Sequence, residues 1–292
     1  MQHHFPEADP PGLVDLTYFA PPEALRAYFG PAYLFTADRP VFEDVTRADA
    51  AQFRFMLSGE GDYLFSDGSK RTTPDLCLLG PTRAATRFRV TGPLQVIGVS
   101  ALPRAWLCFG LDDASNLSND VAALDDAIGP EIRGLFAKMR ITDDPAVAID
   151  ALWSFLAARL RPIAPALEEF IAHCDAWLMG ETSPRVEVLA ETTGLSTRQT
   201  ARLANRIYGA PPKYLARKFR ALRCAADIGL DGQDWMEKVD GTFYDQSHFI
   251  REVKHFIGLT PHQLKTDPTA VARLTLQRRA MIGKVAEIAR VS

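Results

Sequence analysis

The sequence predicts an α+β protein in which an antiparallel β structure comes first and an all-helical part follows. Three observations lead to this fold class. Short apolar runs broken by turn residues fill positions 41–99, which is typical of a compact antiparallel barrel or sandwich. From about residue 130 the apolar spacing becomes helical. Near the carboxyl end, two short helices with clear capping signals each follow a turn.

The strand pattern is clearest in two segments. Phe53, Phe55 and Leu57 alternate with other residues before a glycine-rich turn, and Phe88 and Val90 alternate with arginines before a Gly-Pro turn. Because successive side chains of a strand point to opposite faces, this spacing predicts strands with one face in a core.

The helical pattern forms two apolar stripes in the middle of the chain. Pro162 and Pro165 separate them, since proline interrupts a helix. The stripes consist of Ala148, Leu152, Phe155, Leu156 and Leu160, then Leu167, Phe170, Ile171 and Leu178. Such stripes predict helices that pack against a core.

Length and charge indicate two functional parts. A chain of 292 residues exceeds the usual size of a single core. Residues 183–292 carry 18 Lys and Arg against 11 Asp and Glu, net +7, which leaves 15 against 25, net −10, for residues 1–182. A basic part behind an acidic part is the distribution expected when only the carboxyl-terminal part contacts nucleic acid.

Several classes of protein are disfavoured by what the sequence lacks. Cys77, Cys108, Cys174 and Cys224 form no Cys-x-x-Cys pair, which argues against a zinc module or a disulfide framework. No signal peptide and no apolar run of membrane-spanning length is visible, so we expect a cytoplasmic protein without a membrane partner.

An enzyme is also disfavoured. No histidine lies between residues 5 and 172, so a histidine-ligated metal in the β structure is not expected. The segment Gly98–Leu102 does not complete a Gly-x-Ser-x-Gly elbow. We therefore predict no catalytic residues, no metal site and no cofactor.

The first capped helix belongs to the segment Val186–Gly209. A short helix ends at Gly194, and Ser196 with Gln199 forms a capping box that starts the second helix. Three arginines then follow at intervals of four, Arg198, Arg202 and Arg206. Helix, turn and basic helix together predict a helix-turn-helix unit.

The second capped helix lies in the segment Asp245–Pro261. Its apolar side carries Phe249, Val253, Phe256 and Ile257, and its other side carries Gln246, Ser247, Ile250, Arg251 and Lys254. Glutamine and arginine are able to read base edges in a DNA major groove. An ordinary core helix with a solvated polar face is the alternative for either helix taken singly.

A continuous helix at about residues 211–229 connects the two units. It would be roughly 28 Å long, close to the spacing of about 34 Å between successive major grooves. Its cations, which we expect to face phosphates and solvent, are Lys213, Arg217, Lys218, Arg220 and Arg223.

In these residues the sequence resembles the AraC/XylS family of bacterial transcription regulators. The match runs from Pro184 to about Lys265 and includes the stretch Phe-Tyr-Asp-Gln-Ser-His-Phe-Ile-Arg-Glu followed by Gly-Leu-Thr-Pro. Thr242 replaces the usual turn glycine, and Thr200 and Ala204 replace larger apolar residues, which predicts looser packing of the first recognition helix.

The resemblance implies an arrangement for the whole chain. It implies a cupin-like effector-sensing domain at 1–128, a helical dimerisation segment at 129–180 and the DNA-binding domain at 181–266. Outside the family match, apolar residues at spacings of three, four and seven predict a further amphipathic helix at 267–292. The partners it implies are promoter DNA, a small effector, a second copy in a homodimer and, for an activator, RNA polymerase. By position, Arg198, Arg202, Gln246, Ser247 and Arg251 are expected to read bases. The phosphate contacts are expected to be Arg206 and Lys254, with His248 fixing the second helix.

A second, local resemblance concerns the effector. Arg83, Arg87 and Arg89 lie within seven residues, and Asp113 and Ser115 follow downstream. The two motifs are similar to the Arg-x-x-x-Arg and Asp-x-Ser-x-x-Gly motifs of PilZ domains, which bind cyclic di-GMP, although Ser118 replaces the glycine. Arginine forks suit phosphates and guanine edges. Surface arginines on a strand and a neutral small-molecule effector remain alternatives.

The sequence thus predicts a sequence-specific DNA-binding regulator controlled by a small effector. A regulator that senses a protein partner, and a cupin-type enzyme fused to a DNA-binding domain, remain open at this point.

Overall fold

The computed structural model describes residues 13–180, 184–231 and 246–291. Residues 181–183, where the predicted DNA-binding domain begins, lie outside the described residues. So do Thr242 and Asp245, the first residue of the segment that contains the second capped helix.

The amino-terminal part is an antiparallel sheet of eight strands, which confirms that part of the predicted fold class. The strands are β1 (Val14–Phe19), β2 (Phe29–Ala37), β3 (Val41–Thr46), β4 (Ala51–Leu64), β5 (Lys70–Thr72), β6 (Leu76–Leu79), β7 (Thr86–Ala101) and β8 (Val121–Ala123). Within the described ranges, the strand path runs from β1 to β8 and no ladder joins those two strands.

Two long strands organise the sheet. β4 and β7 pair along almost their whole length. The first half of β7 also pairs with β3 and its second half with β2, while β4 carries β6 and β5 on its other edge. Two half-sheets therefore share one central pair of strands.

The predicted alternation in β4 places Phe53 and Phe55 in the main core, where both are fully buried. This core is closed by helices α1 (Pro103–Cys108), α2 (Leu124–Ile128), α3 (Ile132–Arg140) and α4 (Pro145–Ala157). α4 starts at Asp144, whose carboxylate accepts a hydrogen bond from the Ala146 amide. Its apolar stripe, including Leu152 and Leu156, is buried against the same core.

Helix α5 (Pro165–Met179) joins a second core made largely by the carboxyl-terminal part. Phe170, Ile171, Cys174 and Leu178 are buried there. The buried residues of the two predicted helical stripes therefore each pack against a core of this chain. The predicted role of residues 129–180 in dimerisation stays a prediction.

The helices of the carboxyl-terminal part follow the predicted order. They are α6 (Val186–Thr193), α7 (Thr197–Tyr208), α8 (Pro212–Asp231), α9 (Gln246–Ile257) and α10 (Pro261–Thr266). Gly194 ends α6 in the left-handed conformation, with φ of 65°, which is why a glycine suits this turn. The long helix α8 packs against both α7 and α9.

The terminal segment differs from the single amphipathic helix predicted for 267–292. It forms α11 (Ala270–Leu276), a 3-10 helix (Gln277–Met281) and α12 (Glu287–Val291). Gly283 has a φ of 73° in the break before α12, and a continuous α-helix does not accommodate that conformation. The pieces dock on the sheet, α11 against β1 and β3 and α12 against β2.

In the described ranges, no helix has both the length and the apolar character needed to span a bilayer.

Candidate nucleic-acid interface and ligand cavity

The first predicted recognition helix, α7, presents its arginines to solvent. Ser196 and Gln199 form the predicted capping box at its start. Arg198, Arg202 and Arg206 are all exposed. They form a row of three cations on one face of the helix, as the spacing of four predicts.

The opposite face of α7 is packed more closely than the sequence predicts. Thr200 and Ala204 are both fully buried. The Thr200 hydroxyl donates to the Ser196 carbonyl at 3.1 Å, so its polar group is satisfied inside the helix. The predicted looseness at these two positions is not found, because the small side chains let the helix approach its neighbours.

The second predicted recognition helix, α9, also has one buried face and one exposed polar face. Phe249, Val253, Phe256 and Ile257 are buried on one side. The exposed residues on the other side are Gln246, Ser247, Arg251 and Lys254. The Arg251 Nε donates to the Ser247 carbonyl at 3.2 Å, which draws the side chain along the exposed face. His248 is half-buried, and its predicted role in fixing the helix stays a prediction.

The connecting helix α8 holds α9 through an ion pair. Arg217 donates from Nε and Nη2 to the Glu252 carboxylate at 2.9 and 2.6 Å. Burial alone would raise the pKa of Glu252, but this bidentate contact with Arg217 leaves the pKa below its usual value. Helix α9 is thereby fixed to α8 by a charge-assisted contact.

Other α8 cations also serve the fold, which corrects the expectation that they face phosphates and solvent. Lys218 is buried and donates to the carbonyls of Asp49 at 2.7 Å and Thr82 at 3.0 Å. Arg223 donates to the carbonyls of Met179 and Gly180, both at 3.2 Å. The spacing of the charges along α8 could not show which cations bind carbonyls of this chain and which face solvent. The carbonyls that accept these hydrogen bonds lie far away in sequence.

The amino-terminal part contacts the end of α7 directly. Arg83 donates from Nε and Nη2 to the Gly209 carbonyl at 3.3 and 3.1 Å, and the Ser118 hydroxyl donates to the same oxygen at 2.9 Å. The Ala114 amide donates to the Arg206 carbonyl at 2.8 Å. Gly209 has a φ of 77°, and a Cβ there would lie 2.5 Å from Pro81, so a glycine is required for this close approach.

Tyr208, on the same helix, bonds to α5. Its hydroxyl donates to Asp175 at 2.7 Å. Burial raises the pKa of Asp175 to about 6, with the Tyr208 hydroxyl and Arg104 acting in the opposite direction. Helix α7 is thus held by the loops of the sheet at residues 83 and 114–118 on one side and by α5 on another.

The predicted effector residues are divided between two places. Arg83 lies at the interface with Gly209, near the loop that contains Asp113 and Ser115. Asp113 accepts from the Ser115 hydroxyl at 2.6 Å, which forms a local turn. Arg87 and Arg89 are exposed on β7, where Arg89 pairs with Glu43. Of the two motifs, only Arg83 and the loop with Asp113 and Ser115 come close to each other. Their meeting place is already occupied by the end of α7.

A cavity lies elsewhere, between the terminal segment and the face of the sheet opposite to Phe53 and Phe55. Its volume is about 90 Å³, and it is partly open to solvent. Its polar lining residues are Tyr18, Tyr33, Thr46, Arg47, Asp49, Gln52, Arg54, Asp62, Tyr63, Thr73, Thr275 and Arg278. Its apolar lining residues include Leu16, Phe35, Met56, Phe88, Val90, Leu94, Val96 and Val271.

The polar residues of this cavity form a connected network. The Tyr33 hydroxyl donates to the Gln52 Oε1 at 2.7 Å, and Arg54 donates to the same oxygen from Nε and Nη2 at 2.9 and 2.8 Å. Gly98 leaves room for the Tyr33 ring, since a Cβ there would lie 2.2 Å from it. The prediction of effector residues did not include this set. Gln52 and Arg54 at inward-facing positions of a strand were the available signal.

Among the described residues, no group of three or more His, Cys, Asp or Glu side chains is arranged to hold a metal ion.

Comparison with known proteins gives distant structural neighbours. No family model matches the sequence, and no curated protein matches it. ToxT from Vibrio cholerae aligns at 10% identity and a TM-score of 0.41, over 78% of this chain and 99% of that chain. Unsaturated fatty acid bound ToxT aligns at 10% identity and 0.42, over 86% and 94%. The AraC-like transcriptional activator CuxR aligns at 17% identity and 0.28, over 74% and 88%. Since these TM-scores are all below 0.5, the functional assignment rests on the residues of this chain.

Proposed function

We propose that the protein is a sequence-specific DNA-binding transcription regulator of the AraC type, governed by a small molecule bound in its amino-terminal part. It acts through binding free energy and not through covalent chemistry. In this proposal it works in the cytoplasm as a homodimer on promoter DNA, and as an activator it also contacts RNA polymerase.

The observation that carries the proposal is that α7 and α9 each have one buried face and one exposed polar face. Each helix buries one face completely and leaves its amide, hydroxyl and cationic side chains exposed. Both helices pack on α8, so their relative position is fixed by one rigid element. Two exposed polar helices on a common support are suited to read two segments of a duplex.

Selection from random duplex DNA, followed by footprinting, tests the proposal. We expect one enriched sequence with two elements separated by about one helical turn, roughly 10 base pairs. Affinity should fall steeply with salt, because phosphate contacts release counterions. Equal affinity for selected and random DNA at every salt concentration would exclude sequence-specific regulation.

The cavity supports the effector part of the proposal. Most of its exposed lining surface is apolar, and polar groups converge at one end, which is the usual character of a small-molecule site. A ligand at 100 times its dissociation constant would add about 2.7 kcal/mol to the free energy of unfolding. A regulator governed by a protein partner would lack that response to small molecules.

Cyclic di-GMP is the second effector candidate. It is favoured by the approach of Arg83 to the 113–119 loop, where the Arg83 amide donates to the Asn119 side chain at 2.8 Å. To bind there, the nucleotide would have to replace the contact between Arg83 and Gly209.

We expect that a cyclic di-GMP effector raises the melting temperature and that Arg83→Ala and Arg87→Ala each reduce the shift. GMP is the control nucleotide, and Lys138→Ala, at an exposed position on α3, is the control variant. Arg87 is exposed, so its variant tests the motif without disturbing the interface. No shift for the unmodified chain would remove cyclic di-GMP as a candidate.

A further inference from the structure

We propose that the cavity binds a small organic anion, a carboxylate on an apolar body, and that the terminal segment supplies Arg278 as one of its ligands. This inference rests on the proposed function, since it names the chemistry of the effector and the segment that closes on it.

Strand register gives the cavity a polar end and an apolar end. Arg54, Gly98, Tyr33 and Tyr18 lie side by side on four neighbouring strands. One step along the strands, about 7 Å away, the corresponding row is entirely apolar. It consists of Met56, Val96, Phe35 and Leu16. A ligand with one polar end and an apolar body matches this order.

The polar end carries an excess of positive charge. Arg47, Arg54 and Arg278 line it, together with the carboxylate of Asp49. Burial of Asp49 would raise its pKa, but Arg278, Arg47 and Lys218 together bring the pKa below its ordinary value. The other lining carboxylate, Asp62, is engaged outside this cluster, since it pairs with Lys70 at 2.9 Å and accepts from Thr72 at 2.7 Å.

Arg47 identifies where an anion would bind. Its Nε and Nη2 atoms are buried, and neither has an acceptor among the described residues. Burying such donors without an acceptor is costly. A carboxylate offers two oxygens in the geometry that a guanidinium fork recognises, and it would offset the charge excess.

Arg278 reaches the same place from the terminal segment. It is 4% exposed, its Nη2 donates to the Ser100 hydroxyl at 3.3 Å, and its Nη1 lies 3.7 Å from Asp49. Its guanidinium also lies 5.6 Å from the centre of the Tyr18 ring. The segment is held from its other end, where the Val271 amide donates to the Asp44 carboxylate at 2.8 Å.

The position of the terminal segment allows a ligand in the cavity to connect the sheet with the helical carboxyl-terminal part. α11 follows closely after α10, which packs on α8. A carboxylate held by Arg47 and Arg278 would therefore bridge the sheet and the part that carries the recognition helices. Occupation of the cavity would fix the terminal segment and with it the end of the DNA-binding part.

Calorimetric titration of the full chain without DNA tests this inference. The probes are octanoate and 4-phenylbutyrate, each matched with its neutral amide, octanamide and 4-phenylbutanamide. We expect both acids to bind and the amides to bind more weakly by on the order of ten-fold, as for the loss of a charge-assisted hydrogen bond.

Variants assign the binding to the proposed residues. Arg278→Gln and Arg47→Gln should each weaken binding of the acids by on the order of ten-fold and change binding of the amides little. Arg273→Gln is the matched control, because Arg273 is exposed on the same segment, and it should bind like the unmodified chain. Thermal unfolding of each variant establishes that it is folded before titration.

Three results would overturn the inference: no binding of either acid, equal binding of acids and amides, or unchanged acid binding in both folded arginine variants. None of these depends on DNA. Selective DNA binding without carboxylate binding would thus reject the carboxylate inference and leave the proposed function standing. Carboxylate binding without selective DNA binding would instead reject the proposed regulator.

Discussion

Replacing Arg251 by alanine is expected to weaken binding to the selected DNA site by about 1–3 kcal/mol, and binding to random DNA far less. Arg251 is exposed on α9 beside Gln246 and Ser247, on the face that a major groove would receive. A bidentate contact with a guanine is lost for one sequence only, so the loss should be specific. Gel-shift titrations on selected and random duplexes measure the two affinities.

Lys254 provides the contrasting variant on the same helix. Lys254→Ala should weaken binding to all sequences alike and reduce the salt dependence by about one counterion, as expected for a phosphate contact. Lys138→Ala, which removes an exposed cation from α3, controls for the change in net charge. If Arg251→Ala loses affinity equally on selected and random DNA, Arg251 does not read a base.

The second large effect concerns stability and pH at Lys218. Burial is the main cause that lowers the pKa of this ammonium from 10.5 to about 8, with Asp49 opposing and Arg47 adding to the shift. The folded protein therefore releases this proton near pH 8, and the unfolded chain keeps it until about pH 10.5. Between these values the unfolded chain binds more protons, so the contribution of Lys218 to stability rises with pH. The gain is up to about 3 kcal/mol, on the order of 1.4 kcal/mol per pH unit.

Lys218→Met should remove this rise. The free energy of unfolding, measured in urea at pH 7.5, 9 and 10, should increase with pH for the unmodified chain relative to the variant. Lys213→Met is the matched control, because Lys213 is exposed on the same helix, and it should keep the pH dependence of the unmodified chain. Parallel curves for Lys218→Met and the unmodified chain would contradict the lowered pKa of Lys218.

The parts of the fold that depend on neighbouring residues were predictable from the sequence. The capping box at Ser196 and Gln199 and the left-handed Gly194 define the first helix-turn-helix unit within a few positions. Alternation predicted the buried positions Phe53 and Phe55 of β4 in the same way. In each case the physical cause, a cap or a pleat, lies within one element.

The contacts that join the two parts of the chain were not predictable, because they connect distant positions. Lys218 bonds to carbonyls more than 130 residues earlier, at Asp49 and Thr82, and as a sequence feature it is one lysine in a basic helix. In the sequence, Arg278 stands between Gln277 and Arg279, and nothing there points to its contact with Asp49, 3.7 Å away in space. The positions of charged residues along a helix therefore show which face is exposed to solvent only when no acceptor from a distant part of the chain packs against that face.

The carbonyl end of α7 has a further consequence. The Arg206 and Gly209 carbonyls are held by Ala114, Arg83 and Ser118, whereas the Arg198 end of the helix projects outward. A helix of 12 residues is roughly 18 Å long. A tilt of about 5° about its carbonyl end would move the Arg198 end by roughly 1.5 Å. A displacement of that size exceeds the tolerance of a hydrogen bond to a base edge.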